Sequence, residues 1–277
     1  MTETQITRWA DVPITNNFMF SKVLSDKQLC RDFLEVMLEI RIDHLEDAEA
    51  EAVRKSDPYS KGVRFDVYVK DSTRVFEIEM QMEDTKELAK RSRYYQSVCD
   101  MDMLDSGQFY SDLKESYVIF LCPFDLFGKD RPCYTFENTC LEDGTVRLGD
   151  GTRKLFFNFN AYRKELNKTR RSVLHYFAEG RSETPLAEQL NRKLADAKIN
   201  ERWRAEYMTL EMELIAREKA GVEKGRQEGL QQGMQKGLQQ GKQENALAVA
   251  RNMKNLNMAA DVIVKVTGLS PEEIEKL

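Results

Sequence analysis

The sequence predicts an α/β layered domain with a helical C-terminal extension. Three observations carry that expectation. Two strand-like segments with alternating polarity lie close together at residues 62–69 and 74–82. A continuous apolar run follows at 116–122, and the stretch between them, from Asp84 to about Leu104, contains no Gly or Pro and reads as a helix.

Taken in order, residues 17–41 carry apolar side chains at helical spacing with a polar interruption at Ser25–Lys27, which predicts two short helices or one kinked helix. GVRFDVYV (62–69) and RVFEIEMQM (74–82), joined by KDST, read as an antiparallel hairpin. SYVIFLC (116–122) ends at Pro123 and suits a strand buried on both faces. CYTFENTC (133–140), the turn residues EDG and RKLFFNFN (153–160) predict a second hairpin. Charge-rich helical sequence runs from Ala161 to about Lys219.

The composition then changes. Six of the fourteen glycines, Gly221, Gly225, Gly229, Gly233, Gly237 and Gly241, recur every four residues among Glu, Gln and Lys. Polar neighbours exclude a membrane GxxxG dimer. Each glycine costs roughly 1 kcal/mol of helix propensity relative to Ala. A weak helix or flexible spacer and a self-association helix both fit. Residues 244–277 read as a small helical module: Gly268 stops one helix, and Ser270-Pro271-Glu272-Glu273 is a capping box. The TGLS turn hints at a helix-turn-helix, but Glu272, Glu273 and Glu275 would repel phosphates. The division is therefore 1–219, 220–243 and 244–277.

Composition excludes several classes. No apolar run reaches the roughly 18 residues of a membrane span, and the N-terminus shows no export signal. Five cysteines without a CxxC pair read as reduced thiols in a cytoplasmic protein, and two histidines supply an imidazole site poorly. A net charge of −5 argues against a general nucleic-acid coat protein but not against a local basic patch.

The chemistry concentrates in the first hairpin. Asp66 lies on the polar phase of its strand with Arg64 and Tyr68, while Glu77, Glu79 and Gln81 lie on the polar phase of the next. Pairing brings Asp66 and Glu79 together, half of a hard-cation site, since Mg²⁺ typically takes one or two protein carboxylates. The bland alternative is a solvated strand face with ordinary charges. On the following helix, Arg93 and Gln96 lie three apart and can share a face, turned to a site or to solvent. YRKELNKTRR (162–171) gathers Arg163, Lys164, Lys168, Arg170 and Arg171 around Glu165, a phosphate-binding patch or a solvated helix. Glu35 and Glu39, four apart, read as surface acids or as a completion of the metal shell.

The order Asp, a dozen residues, Glu-X-Gln on an apolar strand, then a helix resembles the PD-(D/E)XK nuclease superfamily. More narrowly, FDVYVKD…FEIEMQ, KRSRYYQSVCDMDML, YSDLKESYVIFLCPFDLFG and YTFENTC…LGDGTRKLFFNF resemble, in that order, the recombination-promoting nuclease (Rpn) family, also labelled transposases. So do the glycine-repeat tail and the TGLS ending, and the similarity covers nearly the whole chain. The resemblance implies a restriction-endonuclease-like mixed sheet flanked by helices and a Mg²⁺-dependent DNA endonuclease, with Mn²⁺ as an alternative ion. Asp66 and Glu79 would be metal ligands, the Met80 carbonyl a main-chain ligand, and Gln81 would take the place of the superfamily's lysine. Glu77 is an outer-shell ligand or a solvated acid. Glutamine can hydrogen-bond the attacking water but brings no charge, and a unit charge at about 4 Å is worth roughly 4 kcal/mol at an effective dielectric near 20. Asn17 stands where similar proteins often carry an acid. DNA is the expected partner, with a homo-oligomer and no membrane. The rival expectation is a weak or inactive core serving as a DNA-associated or oligomeric module.

Overall fold

The computed structural model describes residues 7–46, 48–54, 62–181 and 184–277. The N-terminal helical segment forms two helices, α1 (Asn17–Leu24) and α2 (Lys27–Leu38). Their separation has a local cause. Asp26 accepts the Leu29 N–H and caps a new helix, as Asn16 accepts the Met19 N–H to start the first. Leu29, Cys30, Phe33, Leu34 and Met37 then form the buried stripe of α2.

Six strands form one mixed sheet: β1 (Glu49–Arg54), β2 (Val63–Lys70), β3 (Arg74–Met80), β4 (Glu115–Cys122), β5 (Cys133–Phe136) and β6 (Thr152–Asn158), in the order β1-β2-β3-β4-β6-β5. The two expected hairpins are present, β2 antiparallel to β3 and β5 antiparallel to β6. The β3–β4 and β4–β6 pairs are parallel. A parallel pair needs a long crossover, and α3 (Leu88–Met103) supplies the one between β3 and β4. That helix begins four residues after Asp84, because the Asp84 carboxylate accepts the Lys86 N–H and Lys86 takes φ 61°, a turn rather than a helix start.

The central strand β4 is buried from Ser116 to Cys122, as its continuous apolar run predicts. Leu88, Tyr95, Val98 and Cys99 of α3 pack with Phe65, Tyr68, Val75, Val118, Phe120 and Phe156 of the sheet. The other helices, α4 (Lys168–Glu179) and α5 (Pro185–Lys198), pack with α1 and α2, and α1 rests on β2 and β3. The mixed sheet with flanking helices is a restriction-endonuclease-like α/β fold.

The next helix, α6 (Glu201–Asn255), is 55 residues long and includes the whole glycine repeat. Two compact units divide after Met208. In the first, Tyr207 packs on Trp9 and Phe18 at ring distances of 5.3 and 5.7 Å. In the second, the end of α6 is joined by α7 (Ala260–Thr267) and α8 (Pro271–Glu275), with Ala250, Ile263, Leu269 and Ile274 as a small core. Gly268 ends α7 at φ 71°, and Ser270 and Glu273 make the expected capping box. Among the described residues no helix is long and apolar enough to cross a membrane.

Candidate functional site

The β2–β3 ladder runs from Lys70↔Val75 to Val67↔Ile78. One step further, Asp66 and Glu79 meet, and side chains take over from the ladder. The Asp66 N–H donates to Glu79 Oε1 at 3.0 Å, and the Met80 N–H donates to Asp66 Oδ2 at 3.0 Å. Each carboxylate thus holds a backbone amide of the opposite strand. Asn17, the first residue of α1, donates to Asp66 Oδ2 at 3.2 Å and Oδ1 at 3.4 Å. Arg91, in the first turn of α3, donates from Nη2 to Glu79 Oε2 at 2.6 Å, from Nη1 to Gln81 Oε1 at 2.7 Å and from Nε to Tyr95 Oη at 2.7 Å. Its guanidinium lies 4.8 Å from the Tyr95 ring and 5.7 Å from that of Phe120.

The expectation of a solvated strand face is corrected. Asp66, Glu77 and Glu79 are 4, 0 and 1% exposed. Glu77 is not a solvated acid: its neighbours across the sheet are Tyr68 and Val118. Burial, then the Glu79 charge, push its carboxyl well above the ordinary range. Among the described residues neither of its oxygens has a hydrogen-bond partner. Burial and the Glu79 charge also push Asp66 well up, against the Met80 N–H and Asn17. For Glu79, burial raises the value and Arg91 pulls it back. Three acids against one guanidinium leave the cluster short of positive charge.

Other predicted residues are placed as follows. Gln81 lies just past the end of β3, with its N–H on the Leu121 carbonyl at 2.9 Å and its Nε2 on the Glu83 carbonyl at 2.6 Å. Arg93 and Gln96 are neighbours on α3 but differ in burial. Gln96 lies at the edge of the buried stripe of α3, against Ser116 and Asp100, whereas Arg93 falls just beyond that stripe and is exposed. Neither Glu35 nor Glu39 completes a metal shell: Glu35 accepts the Ile42 N–H, and Glu39 pairs with Asn167 and Arg170. In the basic stretch, Arg163 pairs with Glu179, Lys164 with Asp130, and Arg170 with Glu165 and Glu39. Lys168 is exposed and Arg171 half-buried.

Arg91 is absent from the residues that alternation and motif order single out. Its signal in the sequence is positional: three residues after Leu88 and four before Tyr95, it puts a charge on the apolar stripe of α3.

Among the described residues no group of three or more His, Cys, Asp or Glu is disposed to hold a metal. The donor chemistry still fits a hard divalent cation. Mg²⁺ takes one or two carboxylates and fills its shell with water and phosphate. Asp66 and Glu79 supply two, and Glu77 lies buried beside Glu79 with both oxygens unpartnered among the described residues.

The sequence model of the PD-(D/E)XK nuclease family transposases matches residues 15–175, more than half of the chain and the part that carries Asn17, Asp66, Glu79, Gln81 and Arg91. No curated protein and no solved structure matches the chain.

Proposed function

The chain belongs to the PD-(D/E)XK nuclease family transposases, and on that premise we propose that it is a metal-dependent DNA endonuclease acting in recombination or mobile elements. A nuclease-like function comes with the family. Metal dependence and endonucleolytic cutting are our reading, and the mutual clamp of Asp66 and Glu79 on each other's strand is the observation that carries them.

Asp66 and Glu79, with the Met80 carbonyl, would hold Mg²⁺ or Mn²⁺. When bound, such an ion lowers the pKa of a coordinated water and offsets charge on a phosphoryl oxygen. The chain's part is placement. The backbone amides of Asp66 and Met80 fix the two carboxylates, Asn17 steadies Asp66, and Gln81 lies two residues beyond Glu79 where β3 ends. Glu77 is an outer carboxylate behind Glu79. The polar helix α3 faces the site with Arg91, not with Arg93 or Gln96. DNA is held, in this reading, by the basic stretch Arg163–Arg171, of which Lys168 and Arg171 are the members with no ion pair among the described residues. We also assign the protein to the cytoplasm and to a homo-oligomer joined through its tail.

A second reading, a weak or inactive core in a DNA-associated or oligomeric module, is favoured by one observation. All four oxygens of Asp66 and Glu79 already accept hydrogen bonds within the protein. Plasmid nicking with Mg²⁺, with and without EDTA, beside Asp66→Asn separates the two. Nicking that needs the ion and disappears in the variant supports the enzyme. Absence of nicking in the wild type, or equal nicking in the variant, refutes it.

A further inference from the structure

Gln81 has both polar ends of its side chain engaged within the protein, Nε2 with the Glu83 carbonyl at 2.6 Å and Oε1 with Arg91 at 2.7 Å. It brings no charge. Beside it, Arg91 is permanently charged, and its Nε, Nη1 and Nη2 each bond a different partner, so the guanidinium plane is fixed by Tyr95, Gln81 and Glu79. Rings of Tyr95 and Phe120 lie against it, a low-dielectric wall that strengthens its field. A guanidinium has five N–H donors. Three are used here, one from each nitrogen, leaving one on Nη1 and one on Nη2, and the side chain is 31% exposed. Remaining N–H groups on a fixed, permanently charged guanidinium are charge-assisted donors of the kind that anionic phosphate oxygens take.

We propose that Arg91 carries the positive charge of this site and presents it to the anionic oxygens of a phosphodiester, while Gln81 and Tyr95 act as positioning residues that hold its guanidinium beside Glu79. This rests on the hydrolase reading above and changes the part assigned to Gln81: it orients a cation rather than a water. The cation also shares the Glu79 carboxylate with any bound divalent ion, so the two positive charges oppose each other.

The test combines Mn²⁺ titration by calorimetry with plasmid nicking, on wild type, Arg91→Gln, Arg91→Lys and the double variant Arg91→Gln/Gln81→Lys, each checked for folding by circular dichroism. A neighbouring charge within about 4–6 Å shifts an ionic equilibrium by about one to three powers of ten. Arg91→Gln should therefore bind Mn²⁺ at least about tenfold tighter at the alkaline end of a pH series, where Glu79 is ionised without help from Arg91. It should cut about 100-fold more slowly, as when a positioned donor is removed from a transition-state site. A merely structural arginine would weaken both. Returning the charge through Gln81→Lys should restore about tenfold of the cutting rate. Unchanged or weaker Mn²⁺ binding in folded Arg91→Gln at that alkaline end, wild-type cutting by it, or a double variant no faster than the single overturns the proposal. Should Arg91→Gln fail to fold, Arg91→Lys keeps the charge without the fork. Wild-type-like Mn²⁺ binding with partial cutting is then expected, and complete loss of both overturns the proposal. A wild type that does not cut refutes the hydrolase reading instead, and the Mn²⁺ titration alone then decides Arg91.

Discussion

Glu77 sits in the sheet between Tyr68 and Val118, with Glu79 two residues along its own strand. Burial and that neighbour hold its carboxyl above the ordinary value of 4.5. In the unfolded chain the proton leaves at the ordinary value. Folding stability from this group is therefore complete below about pH 4.5 and is lost as pH rises toward the raised folded value. Glu77→Gln keeps the shape without that dependence. Its Tm should exceed wild type at pH 8, by about 2–4 °C for each kcal/mol relieved, and match it near pH 4; a constant offset across thermal melts would contradict this. Asp66 and Glu79 differ in kind, because each accepts a backbone N–H. Asp66→Ala should lose about 1–3 kcal/mol by stranding the Met80 amide, whereas Asp66→Asn keeps an acceptor and should lose metal-dependent cutting alone. Urea melts and nicking assays on the two variants make the comparison.

At the scale of elements, the sheet depends on where strands begin. Gly151, just before β6, has φ 72°, and a Cβ there would come within 3.3 Å of the Glu115 side chain and 3.4 Å of its Cα. Gly151→Ala should destabilise the protein by about 1–2 kcal/mol in denaturant melts. At the start of α4, Arg170 bonds both oxygens of buried Glu165 and reaches the Met37 carbonyl. Its removal would leave a buried acid unpaired. Arg170→Ala should therefore cost about 3 kcal/mol of stability. Lys168→Ala with Arg171→Ala should instead leave stability near wild type. It should also flatten log K for DNA against log salt by about 0.9 for each phosphate no longer neutralised. An unchanged slope in filter binding would make the stretch a solvated helix end. Strands β2 to β6 were legible because each carries its own polarity pattern, whereas β1, EAEAVR, is poor in the β-branched and aromatic residues that mark a strand, and α4 lay unseparated within the helical run read from Ala161. Nor was the start of α3 legible, since Lys86 adopts a left-handed turn that no periodicity announces.

For the whole molecule, the carboxylates, Asn17 and Arg91 all lie within the unit that ends at Met208, while Thr209–Leu277 forms its own unit around Ile263, Leu269 and Ile274. Added Cβ atoms at the six repeat glycines would meet nothing within 4 Å among the described residues, so no packing among those residues calls for them. Val222, Leu230, Met234 and Leu238 are exposed along the same helix. A chain ending at Ala220, which keeps Tyr207 on Trp9 and Phe18, should stay folded and keep any Mg²⁺-dependent nicking, but form smaller species than the full chain. Light scattering beside the nicking assay checks both. Loss of nicking by a folded truncation would place part of the site in the tail.

The sequence by itself determined strands β2 to β6, their hairpins, the buried central strand, the C-terminal caps and the meeting of Asp66 with Glu79, but not the edge strand β1. Those features arise from alternation, spacing and local hydrogen bonding, which act between residues near one another in the chain. Only the tertiary structure decided that the acidic face is buried, that Asn17 reaches Asp66 across 49 positions, and that Arg91 rather than Gln81 brings the charge to Glu79. A strand's alternation names two faces without saying what covers either one. Here the neighbouring strands and α3 cover the acidic face, and burial without water leaves its charges to be answered by whatever cation the packing brings near.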